Sequence, residues 1–410
     1  MPKLEQGHLV AGPKGRVTAF ARTLLIGLLL IGTGGELVAA TASKHGTAKA
    51  DPVVLRFATV GDSRQDPVGF DPTTGPLSPQ DAIWLQNSKA LGRILREVAA
   101  HKNQMLFFNG DMVMGYGTAG PAASNSVADV AGSDLVAFYR QYGFWRGMVA
   151  TLMEMGTYVV PVPGNHEVQS KAAGKKAVPE NENAWRANMG DLILDAQRFK
   201  AIVGQDASNI NVQDNAALDS LASDQSQLSY SFDVADKHFT IINTDPVGND
   251  GVAPSLWVAA DLESAKARGI KHFFVFGHKP AFTYVYSSKA KKSEAAGLDK
   301  IPAQRDAFWN TIEQYGATYF CGHQHMFNLM QPQGGAWQVL VGTGGSPWDA
   351  KPGEKTLHPE SDRAYAWATT EVHQSGKVDI TAYGFSDTFG PTQVLGRIHI
   401  VKSAPASPTR

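Results

Sequence analysis

The chain has 410 residues, of which 43% are hydrophobic and 18% charged, a balance that excludes collagen-like, coiled-coil and wholly disordered proteins. Lys and Arg number 37 against 38 Asp and Glu, for a formal net charge of −1, so no nucleic-acid-binding surface is expected. The single cysteine, Cys321, excludes an internal disulfide and thiolate clusters, so any metal must be bound by His, Asp, Glu or Asn.

The N-terminal segment has the order of features of a secretory signal peptide. Basic residues precede an apolar run at residues 24–31, and small residues follow up to Ala42. A transmembrane anchor is less favoured, because Glu36 interrupts the segment before the roughly 20 apolar residues that cross a bilayer. We therefore expect a signal peptide over residues 1–42 and a linker over 43–52. The protein would be secreted or periplasmic, with no stable transmembrane segment after signal cleavage.

Beyond the linker, β-rich runs alternate with helical patterns, which is typical of an α/β protein. The runs that predict strands cover residues 53–60, 104–109, 158–162, 238–243, 271–276 and 317–321. A helical pattern ends before Gly316, a residue type that favours the C-cap position. We expect one domain over residues 53–402 and a tail over 403–410. Residues 112–133 are rich in Gly, Ala and Ser, and residues 170–228 are polar with weak periodicity, so insertions or lid segments are predicted in both.

Five of these runs end in a glycine that is followed by polar, metal-competent side chains. The turns are Gly61-Asp62-Ser63-Arg64, Gly110-Asp111-Met112-Val113, Gly164-Asn165-His166-Glu167, Gly277-His278-Lys279-Pro280 and Gly322-His323-Gln324-His325. Side chains at the carboxyl ends of strands assemble the sites of open α/β sheets. Each turn alone is weak evidence, because Gly-Asp is a common turn and a lone histidine is more often a core residue. Together, and each after a strand, they predict one shared cleft.

Six residues of these turns form a coherent donor set for metal ions: Asp62, Asp111, Asn165, His278, His323 and His325. Their oxygen and nitrogen donors suit Fe, Mn or Zn. A carboxylate such as Asp111 can bridge two cations held ~4 Å apart, and such a pair assists in-line displacement at phosphorus. His166 is then free to act as a proton donor. Phosphate ester hydrolysis requires strong catalysis, because its uncatalysed rate is so low that enzymes accelerate it by up to ~10²¹-fold.

The sequence resembles the calcineurin-like metallophosphoesterase superfamily over about residues 53–350. The five turns carry this resemblance, and a Tyr-Ser-Phe-Asp segment at 230–233 and an Asp-Leu-Glu segment at 261–263 place it nearest the purple-acid-phosphatase-like branch. The resemblance implies an α/β fold in the form of a four-layer αββα sandwich. It also implies two divalent or trivalent metal ions and a small phosphorylated substrate.

The resemblance further assigns the donors. One metal would be held by Asp62, Asp111 and His325, with Asp111 bridging to the other. The second metal would be held by Asn165, His278 and His323. His166 matches the family residue that contacts the substrate and protonates the leaving group.

Two positions depart from the family pattern. Many relatives have a histidine ligand where this chain has Arg64, which cannot bind a metal because its guanidinium stays protonated. Arg64 is predicted either to clamp a substrate phosphate or to orient Asp62 through an ion pair. Purple acid phosphatases have a tyrosine at the position of Met114. Tyr116 could reach the site in its place, although packing in a loop is the commoner role of such a residue. Lys279 is expected to be exposed, which is usual for lysine.

The leading hypothesis is an exported metal-dependent phosphoesterase that acts on a phosphomonoester, with a phosphodiester as the less favoured substrate. A metal-bound hydroxide would attack phosphorus, and His166 would be the general acid. Because Arg64 replaces a ligand, the alternative is a catalytically weak phosphate- or nucleotide-binding envelope protein on the same fold. A third, less favoured hypothesis is an exported esterase or sulfatase-like enzyme. The sequence predicts no oligomeric state.

Overall fold

The computed structural model describes residues 51–67, 79–214, 218–287 and 295–401. The strands found there are β1 (Val53–Val60), β2 (Met105–Asn109), β3 (Tyr158–Val162), β4 (Gln169–Ser170), β5 (Lys176–Ala177), β6 (Ser208–Val212), β7 (Tyr230–Val234), β8 (Lys237–Ile241), β9 (His272–Phe276), β10 (Thr318–Cys321), β11 (Phe327–Met330), β12 (Gln338–Val341), β13 (Tyr365–His373), β14 (Val378–Phe385) and β15 (Gln393–Ile400). The helices found there are α1 (Pro79–Ala100), α2 (Val127–Ala131), α3 (Asp134–Glu154), α4 (Asn165–Val168), α5 (Pro179–Met189), α6 (Ala196–Val203), α7 (Ser255–Ala267), α8 (Pro302–Tyr315) and α9 (Pro359–Asp362).

The predicted signal peptide over residues 1–42 and the tail over 403–410 lie outside the described residues. Within the described ranges, no helix is both long enough and apolar enough to cross a membrane.

The six strands predicted from the sequence are all present, with ends that differ by at most two residues. The predicted cap is confirmed as well, because α8 ends at Tyr315 and Gly316 follows as its C-cap with φ = 56°. The segment 170–228 differs from a simple lid. It forms β5, α5, α6 and β6, and it buries Trp185 and Phe199 in the core. Its periodicity is weak because α5 is mostly polar and only one side of the helix is buried.

Two large sheets form the centre of the fold. The first has the order β15-β14-β13-β1-β2-β3, in which β1, β2 and β3 are parallel. The second has the order β11-β12-β10-β9-β8-β7-β6, in which β8, β9, β10 and β12 are parallel. Parallel neighbours place their carboxyl ends at the same edge of a sheet, so the predicted turns of each sheet emerge together.

An aromatic core lies between the two sheets. The ring of Phe57 on β1 contacts five other phenylalanine rings with centroid separations of 5.0–5.9 Å, and these belong to Phe107, Phe239, Phe274, Phe276 and Phe320. Such aromatic pairs contribute about 0.5–1.5 kcal/mol each beyond their burial. They join β1 and β2 of the first sheet to β8, β9 and β10 of the second.

Helices cover the outer face of each sheet. Leu91 on α1 and Trp145 on α3 belong to one apolar cluster with the outer face of the first sheet. Leu262 on α7 and Phe308 on α8 belong to a second cluster with the outer face of the other sheet. The predicted four-layer αββα sandwich is therefore confirmed.

A buried charged triad ties α7 to the second sheet. His238 on β8 is 0% exposed, and its Nδ1 lies 2.5 Å from Asp233 Oδ1 while its Nε2 lies 2.8 Å from Asp261 Oδ2. Because both ring nitrogens face carboxylates, both must carry protons. Burial opposes this charge, but the two carboxylates raise the pKa of His238 above its usual value. Burial also opposes the ionisation of both aspartates, yet His238 keeps the pKa of each below its usual value.

We predict that this triad makes the stability of the protein fall in alkaline solution. The unfolded chain loses the histidine proton near pH 6.5, whereas the folded chain keeps it to a higher pH, so the stabilisation is full below pH 6.5 and is lost as the pH rises through the folded pKa. Replacing His238→Gln should cost about 3–5 kcal/mol near neutral pH and flatten this alkaline decline. Urea denaturation at a series of pH values measures both effects.

His399→Gln is the matched control, since His399 also lies 2.6 Å from a carboxylate, that of Asp379, but is exposed. Its effect should stay within about 0.5 kcal/mol. An unchanged alkaline slope in His238→Gln would contradict the assignment of a charged imidazolium.

Candidate metal centre

The turns after β1, β2 and β10 hold site residues in left-handed backbone conformations. The values of φ are 63° at Asp62, 42° at Arg64, 52° at Asp111 and 72° at His323. Such conformations cost about 1–3 kcal/mol each and persist only where the surroundings enforce them. One enforcing contact joins two of these turns, since Asp62 N donates to the carbonyl of Gly110 at 2.9 Å. The strained backbone turns the side chains away from their strands.

Two motif glycines allow the turns after β2 and β3 to touch. A Cβ on Gly110, whose φ is 80°, would lie 2.6 Å from the Cα of Gly164. A Cβ on Gly164 would lie 2.3 Å from the backbone nitrogen of Asp111. Since real Cβ atoms do not approach so closely, only glycine permits this packing.

Glu167 braces the same two turns. Its buried carboxylate accepts hydrogen bonds from the backbone N–H groups of Gly164 at 2.8 Å, Asp111 at 2.9 Å, Met112 at 2.8 Å and Val113 at 3.1 Å. The sequence pattern places Glu167 in one of the five motif turns but indicates no role for it. The sequence feature that points to a role for Glu167 is its position two residues after Asn165, in the same motif turn.

The structure brings all six predicted metal donors together around Asp111. One group comprises Asp62, Asp111 and His325, and the other comprises Asp111, His278 and His323. Within each group, one donor atom from every residue lies within 4.8 Å of the others. Asp111 belongs to both groups, which is the arrangement that a carboxylate shared by two cations requires.

Asn165 completes the second group, with its Oδ1 2.9 Å from His278 Nε2.

Backbone carbonyls fix the orientation of two histidines of the centre. His278 Nδ1 lies 2.7 Å from the carbonyl oxygen of Asn109, and His325 Nδ1 lies 2.7 Å from that of Pro347. Because a carbonyl only accepts, Nδ1 of each ring must carry a hydrogen, so in the neutral form of each ring the lone pair lies on Nε2. Histidine ligands of metals are commonly oriented in this way.

The donor set fits a cation. Three metal-competent atoms surround His278 Nε2, namely Asn165 Oδ1 at 2.9 Å, Asp111 Oδ1 at 3.2 Å and His323 Nδ1 at 3.2 Å. Lone pairs converging in this way repel one another unless a proton or a metal lies between them. Burial would lower the pKa of His278, but the carboxylates of Asp111 and Asp62 raise it to about 10. The same negative potential attracts metal cations.

His166 lies beside the two groups and belongs to neither. Its Nδ1 lies 2.5 Å from the carbonyl oxygen of Met114, so its Nε2 points to the centre, 3.5 Å from Asp111 Oδ2. Burial lowers the pKa of His166 to about 4, although Asp111 acts in the opposite direction. An anionic phosphate arriving at this ring would favour its protonated form.

Arg64 lies at the rim of the first group and is half-buried. Its Nε donates to the hydroxyl of Ser346 at 2.9 Å, and its Nη2 is 3.5 Å from His325 Nδ1. In the described part of the chain, no ion pair joins Arg64 to Asp62, whose Oδ1 lies 3.7 Å from His325 Nε2. The phosphate clamp stays a prediction.

Tyr116 is part of the site, contrary to the expectation that it only packs in a loop. Its hydroxyl accepts a hydrogen bond from Asn165 Nδ2, and its ring lies 3.9 Å from the ring of His166. Donation from Nδ2 leaves Asn165 Oδ1 directed at the second group. The preceding Gly115 is required, because a Cβ there would lie 1.8 Å from the carbonyl oxygen of His166. The Gly-Tyr-Gly sequence at 115–117 is the feature from which the role of Tyr116 could have been predicted.

Lys279 was predicted to be exposed. This prediction is wrong, because Lys279 is only 5% exposed. Its ammonium forms a buried ion pair with Asp245, which also accepts from Gln169 Nε2 at 3.1 Å and from the backbone N–H of Gly251 at 3.0 Å. A lysine alone in the interior is rare, but pairing with a carboxylate permits it. Lys279 therefore has a structural role.

Comparison with known proteins gives a family. Residues 55–327 match the family model described as calcineurin-like phosphoesterase, which is more than half of the chain. The search of curated proteins found no match.

Three solved structures are similar to this chain. A dimetal phosphatase from Danio rerio has 10% sequence identity and a TM-score of 0.48, with 86% of this chain and 100% of that chain covered. A purple acid phosphatase from yellow lupin seeds, Lupinus luteus, has 13% identity and a TM-score of 0.49, with 87% and 58% covered. GAP50, the anchor in the inner membrane complex of Plasmodium, has 14% identity and a TM-score of 0.42, with 86% and 90% covered.

We predict that Tyr116→Phe weakens metal binding at the second group. Without the phenol oxygen, the Asn165 amide loses the partner of its Nδ2 and can turn its Oδ1 away from the centre. Loss of such an outer partner typically lowers metal affinity by about 10–100-fold. Elemental analysis after dialysis should show a bound metal content that falls from two toward one, and calorimetry should show the weaker affinity.

Tyr315→Phe is the control, because it removes a phenol that pairs with Glu263 away from the centre. Full metal content with unchanged affinity in Tyr116→Phe would show that Asn165 needs no such partner.

Proposed function

The chain belongs to the calcineurin-like phosphoesterase family, and from this premise we propose that it hydrolyses a small phosphomonoester outside the cytoplasm. That it is a phosphoric ester hydrolase follows from the family. The observation that carries the mechanism is the position of Asp111, shared by two groups of donors with His166 beside it.

The donors divide between two cations. Asp62, Asp111 and His325 would hold one, and Asp111, Asn165, His278 and His323 would hold the other. When bound, such cations supply Lewis-acid activation and neutralise charge at the phosphoryl oxygens. Fe, Mn and Zn all suit these oxygen and nitrogen donors.

His166 is assigned the proton for the leaving oxygen. Its Nδ1 is anchored on the carbonyl of Met114, so the ring cannot turn its Nε2 away from the centre. Contact with Tyr116 on one side of the ring limits its movement further. A fixed donor at hydrogen-bond reach of the leaving group gives general acid catalysis, which contributes about 10²–10⁴-fold to the rate.

Arg64 is assigned to the non-bridging phosphoryl oxygens. Its Nε is held by Ser346, and the rest of the fork reaches the rim of the centre near His325. An arginine matches phosphate oxygens through parallel N–H bonds. The residue that replaces a family ligand would thus bind substrate instead of metal.

The proposal of export rests on the N-terminal sequence. Basic residues, the apolar run at 24–31 and the small residues up to Ala42 have the order that signal peptidases require.

The function is tested with a panel of phosphomonoesters, phosphodiesters, sulfate esters and carboxylate esters. Turnover of the monoesters at the highest kcat/KM supports the proposal. Tight phosphate binding without turnover of any ester, across added Fe, Mn and Zn, would favour a binding protein instead.

His166→Asn should reveal the proton donor through its dependence on the leaving group. We expect a loss of about 10²–10⁴-fold in kcat for alkyl phosphates, whose leaving oxygen must be protonated. The loss for 4-nitrophenyl phosphate should be much smaller, because 4-nitrophenolate leaves without a proton. Metal content should be unchanged, since His166 is in neither donor group. Equal losses on both substrates would refute general acid catalysis by His166.

Export is tested by expressing the full chain in a bacterial host. The mature protein should begin at residue 43 and lie outside the cytoplasm, as shown by intact mass and cell fractionation. Leu28→Arg should block this step, because a charge in the apolar run prevents its recognition. An uncleaved wild-type chain in the cytoplasm would contradict the proposal.

A further inference from the structure

A small basic hairpin follows directly after the turn that carries Asn165 and His166. It consists of β4 and β5 with the loop 171–175 between them. Lys171, Lys175 and Lys176 are all exposed, so three positive charges lie within six residues. The family motifs do not include this segment.

The hairpin is attached to the loop that carries Tyr116. Lys171 N donates to the carbonyl of Tyr116 at 2.9 Å, and the hydroxyls of Thr118 and Ser170 are 2.6 Å apart. On the other strand, Ala177 N donates to Asp250 Oδ1 at 2.7 Å. These contacts fix the base of the hairpin relative to the centre.

Two of the three ammonium groups lie against Tyr116. Lys171 Nζ is 5.5 Å from the centroid of the Tyr116 ring, and Lys175 Nζ is 5.8 Å from it. The same ring lies 3.9 Å from the ring of His166. One aromatic side chain therefore separates the candidate proton donor from two positive charges.

Neither of these two charges is neutralised by the parts of the chain that the structure describes. No carboxylate there forms an ion pair with Lys171 or Lys175, whereas Lys176 Nζ lies 4.0 Å from Asp250 Oδ2. A cation near an aromatic face gains only about 0.5–1 kcal/mol at an exposed site. Two like charges near one ring also repel each other, and salt screens this repulsion over a Debye length of about 8 Å at physiological ionic strength. An anion between them would remove this repulsion.

The position of Lys171 and Lys175 indicates which part of a substrate would carry the anion. His166 is the residue assigned to the leaving oxygen, so groups beyond Tyr116 lie on the leaving-group side of the centre. We propose that Lys171 and Lys175 form a subsite for a second anionic group, a phosphate or a carboxylate, on the leaving group of the substrate. This inference rests on the proposed function and narrows its substrate class to phosphomonoesters that carry a further negative charge.

Matched aryl phosphates test the subsite. The substrates are phenyl phosphate, 3-carboxyphenyl phosphate and 1,3-phenylene bisphosphate, which differ in the second anionic group. In Lys171→Ala/Lys175→Ala we expect KM for the two bis-anionic substrates to rise about tenfold, because hydrogen bonds to charged groups contribute about 1.5–3 kcal/mol. The values of kcat, and KM for phenyl phosphate, should change less than about twofold. Lys171→Arg/Lys175→Arg should restore the preference, and added salt should weaken it.

Lys266→Ala/Lys300→Ala is the control. It removes the same charge from two exposed lysines, and Lys266 Nζ also lies near a tyrosine ring, 5.3 Å from that of Tyr315. This variant should keep the substrate preference of the wild type. A preference lost equally in both double variants would show a general effect of net charge and would overturn the subsite. An equal rise in KM for all three substrates in the hairpin variant would also overturn it.

A binding measurement separates this inference from the proposed function. Calorimetry compares methylenebisphosphonate with methylphosphonate on the metal-loaded protein. We expect the bisphosphonate to bind about tenfold more tightly to the wild type and to lose this advantage in Lys171→Ala/Lys175→Ala. If the wild type hydrolysed no phosphate ester but showed this difference, the proposed function would fail and the anion subsite would stand. Hydrolysis without any difference would refute the subsite alone.

Discussion

The site depends on one buried carboxylate, that of Glu167, which accepts four backbone N–H groups from the turns after β2 and β3. These turns carry Asp111 and His166, and Glu167 helps to set their separation together with the hydrogen bond from His166 N to Asp111 Oδ1 at 3.0 Å. Burial and the nearby Asp111 raise the pKa of Glu167 to about 7, which shows the electrostatic cost of a charge at this place. Cations bound at the centre would favour its ionised form and so reinforce the brace. Metal binding and the geometry of the turns therefore support each other.

The backbone strain of the site follows from the same constraint. Asp62, Asp111 and His323 follow the ends of their strands in left-handed conformations, and their side chains meet at the shared centre. Each such residue costs about 1–3 kcal/mol, and the large aromatic core between the sheets supplies the stability that offsets this cost. The rigid sandwich therefore tolerates strained and highly charged turns at the ends of its strands.

The sequence predicted the parts of the site that lie at strand ends. Buried strands and the glycines after them leave a strong local pattern, and Asp111 and His278 are found where that pattern places them. Tyr116 and Lys279 were misjudged, because their roles depend on partners 49 and 34 positions away in the chain, Asn165 and Asp245. Local patterns carry no information about such contacts. Helix α5 was missed for a related reason, since its burial comes from tertiary packing and its own apolar periodicity is weak.

The two halves of the centre are chemically unequal. Asp111, Asn165, His278 and His323 surround the second position, whereas Asp62, Asp111 and His325 are the protein donors of the first. The family's additional ligand is replaced by Arg64, whose positive charge repels a nearby cation and attracts an anion. Ser346 holds the Nε of this arginine, so its charge remains at the rim. A cation with fewer protein donors keeps more positions for water or substrate oxygens. Because Arg64 lies on the same side as His325, the first position is the one where, under the proposed function, a phosphoryl group would meet both a cation and a guanidinium.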